Sequence, residues 1–184
     1  MLSRRAFAAG LLALAASPAR ASDAAWEALK TGQAFLLMRH AIAPGGGDPP
    51  GFKLDDCATQ RNLSDDGRAQ ARKAGAMLRE KGIAQAAVFS SRWCRARETA
   101  KLLGFDAPQD LQPLDSFFGK PELGPERRAA FMEWIVRPSA LPRILVTHQV
   151  NITAFTGVVP ASGEMVIARK DGDGVEVLAR VSND

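Results

Sequence analysis

Three short apolar runs, spaced along the chain, limit what this sequence can fold into. Residues 34–38, 86–89 and 143–147 lack the alternation of a half-buried strand, which is typical of strands buried on both faces. Segments with helical spacing lie between them, including residues 64–82 and 92–103. Strands that alternate with helices predict an α/β fold on a mostly parallel sheet.

Local signals complete the predicted architecture. Ser64 stands where the cap of a helix is expected. The Asp-Gly-Asp-Gly sequence at 171–174 separates two apolar stretches and predicts a C-terminal β-hairpin. Residues 104–125 contain four Pro and three Gly, which favours a long loop. We therefore expect three layers, with helices on both faces of the sheet, in a single domain over residues 22–184.

Both histidines of the chain follow predicted strands. His40 comes after the first strand together with Arg39, and His148 follows the third. Arg92 and Arg95 lie just beyond the second strand. Because parallel strands end at a common edge, where ligands of such sheets bind, we expect these five side chains to lie at one edge of the sheet.

Imidazoles and guanidiniums in one crevice predict a phosphate site. Arginine presents a planar fork of donors that matches phosphate oxygens, and a neutral imidazole can attack phosphorus as a nucleophile. Neighbouring cations disfavour the imidazolium and keep its lone pair free. A carboxylic acid would then protonate the leaving alcohol.

Four segments in this order resemble the signatures of the histidine phosphatase superfamily, also called phosphoglycerate-mutase-like. They are Leu-Met-Arg-His-Ala at 37–41, the helix start at 62–71, Ser-Ser-Arg-Trp-Cys-Arg at 90–95 and Val-Thr-His at 146–148. The resemblance extends over roughly residues 33–160. It implies a phosphoglycerate-mutase-like fold and a phosphomonoesterase that needs no metal and no cofactor.

The resemblance also implies a role for each matching residue. His40 is the nucleophile that becomes phosphohistidine, and His148 completes the site. Arg39 and Arg95 hold the phosphoryl oxygens. The chain offers two further candidates: Arg61 as an additional phosphate ligand, and an acid in the middle of the chain as proton donor. For that acid we favour Asp115, in Leu-Asp-Ser-Phe-Phe-Gly, with Glu122 in reserve.

One departure from the family pattern affects function. The family reads Arg-His-Gly, but here Ala41 follows His40. A methyl group restricts φ, so a position that needs positive φ would distort the pocket. This departure leaves open a rival function, a phosphate-ligand binding protein on a phosphatase fold with little turnover.

The first 21 residues predict an export signal. Arg4 and Arg5 precede an apolar run at 6–16, and Ala19-Arg20-Ala21 matches a small-x-small cleavage site. The arginine pair resembles a twin-arginine signal. We expect cleavage after Ala21 and a periplasmic protein. A Sec-type signal, an uncleaved anchor and an amphipathic helix are the alternatives.

Charge does not point to a nucleic-acid partner. The chain has 24 basic and 20 acidic residues, and three of the arginines fall in the predicted signal. The domain that remains is nearly neutral and has no block of five basic residues. Membrane contact is expected only through the signal. The oligomeric state cannot be read from the sequence.

Export would place Cys57 and Cys94 in an oxidising compartment, where they either form one disulfide or stay as buried thiols. With the two histidines they could also form a zinc set, but no two of the four have ligand-like spacing. The surrounding sequences resemble an exported subgroup that includes lipopolysaccharide core heptose phosphate phosphatases. That resemblance implies a Cys57–Cys94 bridge and a small-molecule or envelope phosphoester substrate.

Overall fold

The protein is described by a computed structural model that covers residues 18–183, with side chains from residue 23. The predicted export signal, residues 1–21, lies outside the described residues except for the backbone of its last four. That backbone is helical, and the first helix begins at Pro18. No helix of the described chain has the length and apolar character to span a bilayer.

Six strands form one mixed sheet in the order β3-β2-β4-β1-β5-β6. The first four of that order are parallel, and β5 and β6 add an antiparallel hairpin at one edge. The predicted α/β class and C-terminal hairpin are therefore confirmed. The strands are β1 (Phe35–Arg39), β2 (Ala87–Ser90), β3 (Gln109–Asp110), β4 (Arg143–Thr147), β5 (Met165–Asp171) and β6 (Gly174–Val181).

Helices cover both faces of the sheet. Helices α1, α2 and α3 contribute to one apolar cluster, and α4 and α5 contribute to the other. Three short 3-10 turns lie at 57–59, 112–114 and 121–123. The helices are α1 (Pro18–Lys30), α2 (Asp65–Glu80), α3 (Cys94–Leu102), α4 (Gly124–Ile135) and α5 (Gln149–Thr156).

Strand β1 shows why its sequence is apolar without interruption. Leu36 and Met38 belong to the cluster beneath α1–α3, whereas Phe35 and Leu37 belong to the cluster beneath α4 and α5. Because successive side chains of a strand point to opposite faces, a strand covered on both faces needs apolar residues throughout.

The local sequence signals agree with the structure to different degrees. Ser64 caps α2 as predicted, with its Oγ accepting a hydrogen bond from the Gly67 N–H at 3.1 Å. The expected loop at 104–125 contains β3 and two of the 3-10 turns. Strand β3 was missed because it is two exposed polar residues that pair with β2 and carry no apolar pattern.

The register of the sheet brings the ends of β1, β2 and β4 together. The His40 N–H donates to the carbonyl of Thr147 at 2.9 Å, and the Ser91 N–H donates to the carbonyl of Val146 at 3.0 Å. The residues that follow these strands therefore meet at one edge of the sheet.

Candidate active site

His40 is buried at the end of β1 in a defined tautomer. Its Nδ1 lies 2.8 Å from the carbonyl oxygen of Ala41. A carbonyl can only accept, so Nδ1 carries the proton and the lone pair is on Nε2. The Nε–H of Arg95 donates to this Nε2 at 3.3 Å.

The surroundings of His40 keep its ring neutral. The pKa of His40 is lowered from 6.5 to about 3, chiefly by burial and also by the charges of Arg95, Arg61 and Arg39, against the opposing effect of its hydrogen bond to the Ala41 carbonyl. A protonated ring would add a fourth cation to this buried group. Nε2 is thus unprotonated across the ordinary pH range, as nucleophilic attack requires.

His148 lies beside His40, with ring centroids 5.3 Å apart and the planes nearly perpendicular. Its Nε2 is hydrogen bonded to the hydroxyl of Ser91 at 2.7 Å. Burial, then the charges of His40 and the nearby arginines, hold the pKa of His148 well below its ordinary value. Strands β1, β2 and β4 therefore bring both imidazoles to one point, as the sequence predicted.

A cavity of about 210 Å³ opens onto these rings. It is smaller than the roughly 300–1,000 Å³ of typical small-molecule pockets, which suits a phosphoryl group with the rest of the substrate at the mouth. The residues that line it are either positively charged or uncharged. The lining residues are Arg39, His40, Gly45, Gly46, Gly47, Arg61, Arg95, Ser116, Phe118, His148, Gln149 and Val150.

The three arginines proposed as phosphate ligands all line this cavity. Arg39 donates through Nη1 to the carbonyl of Pro160 at 2.9 Å. Arg61 donates through Nη1 to the carbonyls of Ala43 and Gly45. The Nε atoms of Arg39 and Arg61 are buried and have no hydrogen-bond partner within the described chain. Buried donors normally have partners, so these favour an anionic ligand.

Asp48 is a site residue that the sequence analysis missed. Its carboxylate accepts from Arg95 Nη1 at 2.7 Å, from the Arg61 N–H at 3.1 Å and from Trp93 Nε1 at 2.9 Å. Burial pushes the pKa of Asp48 upward, but these hydrogen bonds, above all that from Arg95, hold it below its ordinary value. Asp48 lies in an aperiodic Gly/Pro segment, so no pattern pointed to its partners.

Asp115, for which proton donation stays a prediction, is held by Arg92 in the structure. Its Oδ1 accepts from the Arg92 N–H at 2.9 Å, and its Oδ2 accepts from Arg92 Nε at 2.8 Å and Nη2 at 2.5 Å. The carboxylate is buried and does not line the cavity, although the neighbouring Ser116 does. Asp115 therefore anchors Arg92, and Glu122 lies exposed on the turn at 121–123.

Ala41 fits its position without distortion. Positive φ values within the described chain occur only at glycines, so Ala41 does not need the conformation that would exclude a methyl group. Its side chain is fully buried against Ala43, Leu63 and Ala71. Its N–H donates to the hydroxyl of Thr99 at 3.0 Å.

Cys57 and Cys94 form a disulfide across a sequence separation of 37. The bridge joins the loop after His40 to the first turn of α3, beside Arg95. With both sulfurs bonded to each other, the zinc set of two cysteines and two histidines does not form. In the described part of the chain no three His, Cys, Asp or Glu residues are grouped to hold a metal ion.

The sequence match agrees with this geometry. Residues 36–117 match the model of the histidine phosphatase superfamily, branch 1. Over this span the sequence is similar to that superfamily. The matched span contains His40 and Arg95, and His148 lies beyond it, directly after β4, the strand that pairs with β1. No curated protein sequence gives a significant match.

Solved structures of histidine phosphatases and mutases share the fold. Phosphoserine phosphatase from Entamoeba histolytica, in complex with 3-phosphoglyceric acid, has a TM-score of 0.60 at 12% identity, with 81% of this chain and 96% of that one covered. The protein histidine phosphatase SixA, complexed with tungstate, has a TM-score of 0.54 at 14% identity, covering 82% and 97%. Phosphoglycerate mutase from Thermus thermophilus has a TM-score of 0.51 at 21% identity, covering 82% and 99%.

Proposed function

We propose that this protein is an exported phosphomonoesterase that acts through a phosphohistidine on His40. The observation that carries the proposal is the neutral Nε2 of His40 at a cavity lined by Arg39, Arg61 and Arg95. Guanidiniums attract a phosphate ester and fix its orientation, and the nucleophile is already deprotonated at the point of attack.

The reaction proceeds in two steps. The lone pair of His40 Nε2 attacks phosphorus, an N–P bond forms, and the P–O bond to the alcohol breaks with its electron pair on the leaving oxygen. Water then attacks phosphorus, the N–P bond breaks with its electron pair returned to Nε2 of His40, and inorganic phosphate leaves with the protons of that water. The released alkoxide takes a proton from the solvent. The arginines and His148 stabilise the charge on the equatorial oxygens in both steps.

The lack of an acidic side chain in the described lining of the cavity affects which phosphate esters react fastest. No carboxyl group lines the cavity in the described part of the chain, and the carboxylate of Asp115 is held by Arg92. A leaving oxygen that receives no proton departs with negative charge, so we expect esters of acidic alcohols to react much faster than alkyl esters.

The mouth of the cavity is where the rest of the substrate would lie. Phe118, which lines the cavity, is 66% exposed, and its ring lies against Gly47 of the Gly45–Gly47 segment, which presents backbone instead of side chains. An exposed ring beside open backbone suits a leaving group with an apolar face. A small-molecule or envelope phosphoester with such a group is the substrate class that we propose.

Export is the second part of the proposal. Its support is the signal-like sequence of residues 1–21 and a disulfide, which persists in oxidising compartments. When the full chain is expressed in a bacterium, mass spectrometry of the periplasmic fraction should find a protein that begins at Ser22. Detection only in the cytoplasm, with residues 1–21 retained, would contradict export.

The decisive test of the activity compares wild type with His40→Ala on p-nitrophenyl phosphate in the presence of a chelator. We expect a loss on the order of 10³-fold or more, because the variant lacks the Nε2 lone pair that attacks phosphorus. Arg97→Ala, on the exposed side of α3, is the matched control and should retain wild-type activity. Equal rates for wild type and His40→Ala, with inorganic phosphate still bound, would instead identify a binding protein.

A further inference from the structure

Asp48 makes the contact that distinguishes Arg95 from the other arginines of the site. Its side chain is 8% exposed and that of Arg95 is 3% exposed, so the ion pair between them is shielded from water. Both carboxylate oxygens are used, since Oδ1 accepts from Arg95 and the Arg61 N–H while Oδ2 accepts from Trp93. The carboxylate is therefore fixed on three sides.

This contact decides which edge of Arg95 faces the nucleophile. A guanidinium can grip an anion through its two Nη atoms or through its side edge, formed by Nε and Nη2. Nη1 of Arg95 donates to Asp48 and lies 3.4 Å from the carbonyl oxygen of Arg61. Nε lies 3.3 Å from Nε2 of His40. The side edge is thus turned toward the atom that attacks phosphorus.

We propose that Asp48 is a positioning residue for phosphoryl transfer, holding Arg95 with its side edge toward His40. Its charge balances one of the cavity's three guanidiniums without entering the cavity, since Asp48 is not among the lining residues. This role rests on the proposed function, because the edge it orients is the one that would hold two phosphoryl oxygens during attack.

A double-mutant cycle tests the role. Asp48→Asn, Arg95→Lys and the double variant are compared with wild type for kcat and KM on p-nitrophenyl phosphate, with melting temperatures alongside. Asp110→Asn is the matched control, because Asp110 also accepts from an arginine of α3, Arg97, but in an exposed pair away from the cavity.

We expect Asp48→Asn to lower kcat by at least about tenfold, whereas Asp110→Asn leaves it unchanged, because only the first loosens a buried partner of the site. With Arg95→Lys already present, Asp48→Asn should change kcat less than about twofold, since the group it orients is gone. The proposal would be overturned if the kcat of the double variant fell by the product of the two single-variant effects. A lower melting temperature of Asp48→Asn with an unchanged kcat would overturn it as well. Should Asp48→Asn fail to fold, Asp48→Glu carries the same cycle.

Failure of the proposed function can be recognised separately. If wild type does not hydrolyse p-nitrophenyl phosphate, the cycle is repeated with the dissociation constant of inorganic phosphate, measured by calorimetry. Asp48→Asn should then weaken phosphate binding only when Arg95 is intact. An unchanged dissociation constant would overturn the positioning role.

Discussion

At the scale of single residues, two arginines near the start of α3 each form an ion pair with an aspartate from another segment of the chain. Asp48 pairs with Arg95 beside His40, and Asp115 pairs with Arg92 outside the cavity lining. The first pair orients a ligand donor, while the second anchors the 112–119 segment. We therefore expect Asp115→Asn to lower the free energy of unfolding by about 2 kcal/mol, because Arg92 loses a buried partner.

The same variant separates an anchor from a proton donor. An anchor leaves the ratio of kcat/KM for p-nitrophenyl phosphate to that for an alkyl phosphate unchanged. Loss of a proton donor reduces the alkyl rate selectively, because only the poor leaving group needs the proton. A selective loss in Asp115→Asn would restore Asp115 as the catalytic acid.

At the scale of elements, the loop between β1 and α2 is tied to the start of α3. The disulfide joins Cys57 to Cys94, the Cys94 N–H donates to Gln60 Oε1 at 3.0 Å, and the rings of Phe52 and Trp93 lie 5.9 Å apart. This loop carries Asp48, so its attachment also supports Arg95.

Removal of the disulfide should weaken both stability and catalysis. For a bridge that closes 37 residues, chain entropy predicts that Cys57→Ser with Cys94→Ser lowers the free energy of unfolding by about 4 kcal/mol, measured by urea denaturation. We also expect kcat to fall, since the loop that carries Asp48 is released. Dithiothreitol should reproduce both effects in wild type and neither in the double variant. An unchanged denaturation midpoint would contradict this expectation.

At the scale of the whole molecule, two buried neutral histidines make stability depend on pH. The pKa of His40 is about 3 in the folded protein and near 6.5 when unfolded, so the unfolded chain binds the proton first as pH falls. The stabilisation is complete above pH 6.5 and is lost as pH falls toward 3. His40 contributes a slope of up to about 1.4 kcal/mol per pH unit within that window, and the lowered pKa of His148 acts in the same direction.

The comparison of wild type with His40→Asn separates the contribution of His40 to the pH dependence of stability from that of the carboxylates. Free energies of unfolding, measured in urea between about pH 7.5 and 4.5, should fall more steeply for wild type by about 1 kcal/mol per pH unit. Above about pH 7 the two proteins should show the same dependence on pH. Parallel curves throughout would show that His40 is protonated in the folded state.

Much of this architecture was predictable because it rests on local patterns. Unbroken apolar runs indicate strands that are covered on both faces, as β1 shows. Ser64 indicates the start of a helix because its hydroxyl accepts a hydrogen bond from the N–H of Gly67, three residues along the chain. The edge where His40 and His148 meet followed from the parallel order of β1 and β4. By itself, the sequence therefore determined the layers, the strand ends and the pair of imidazoles.

The carboxylate partners could only be decided by the tertiary structure. Asp48 and Asp115 both lie in segments without a period, and each reaches an arginine of the α3 region across a long stretch of chain. Two loops, one with Asp48 and one with Asp115, pack against the start of α3. Their packing decides which aspartate forms an ion pair with Arg92 and which with Arg95. Loop paths are set by long-range contacts such as Cys57–Cys94 rather than by local propensity, so neither the contact of Asp115 with Arg92 nor that of Asp48 with Arg95 could be predicted from the sequence.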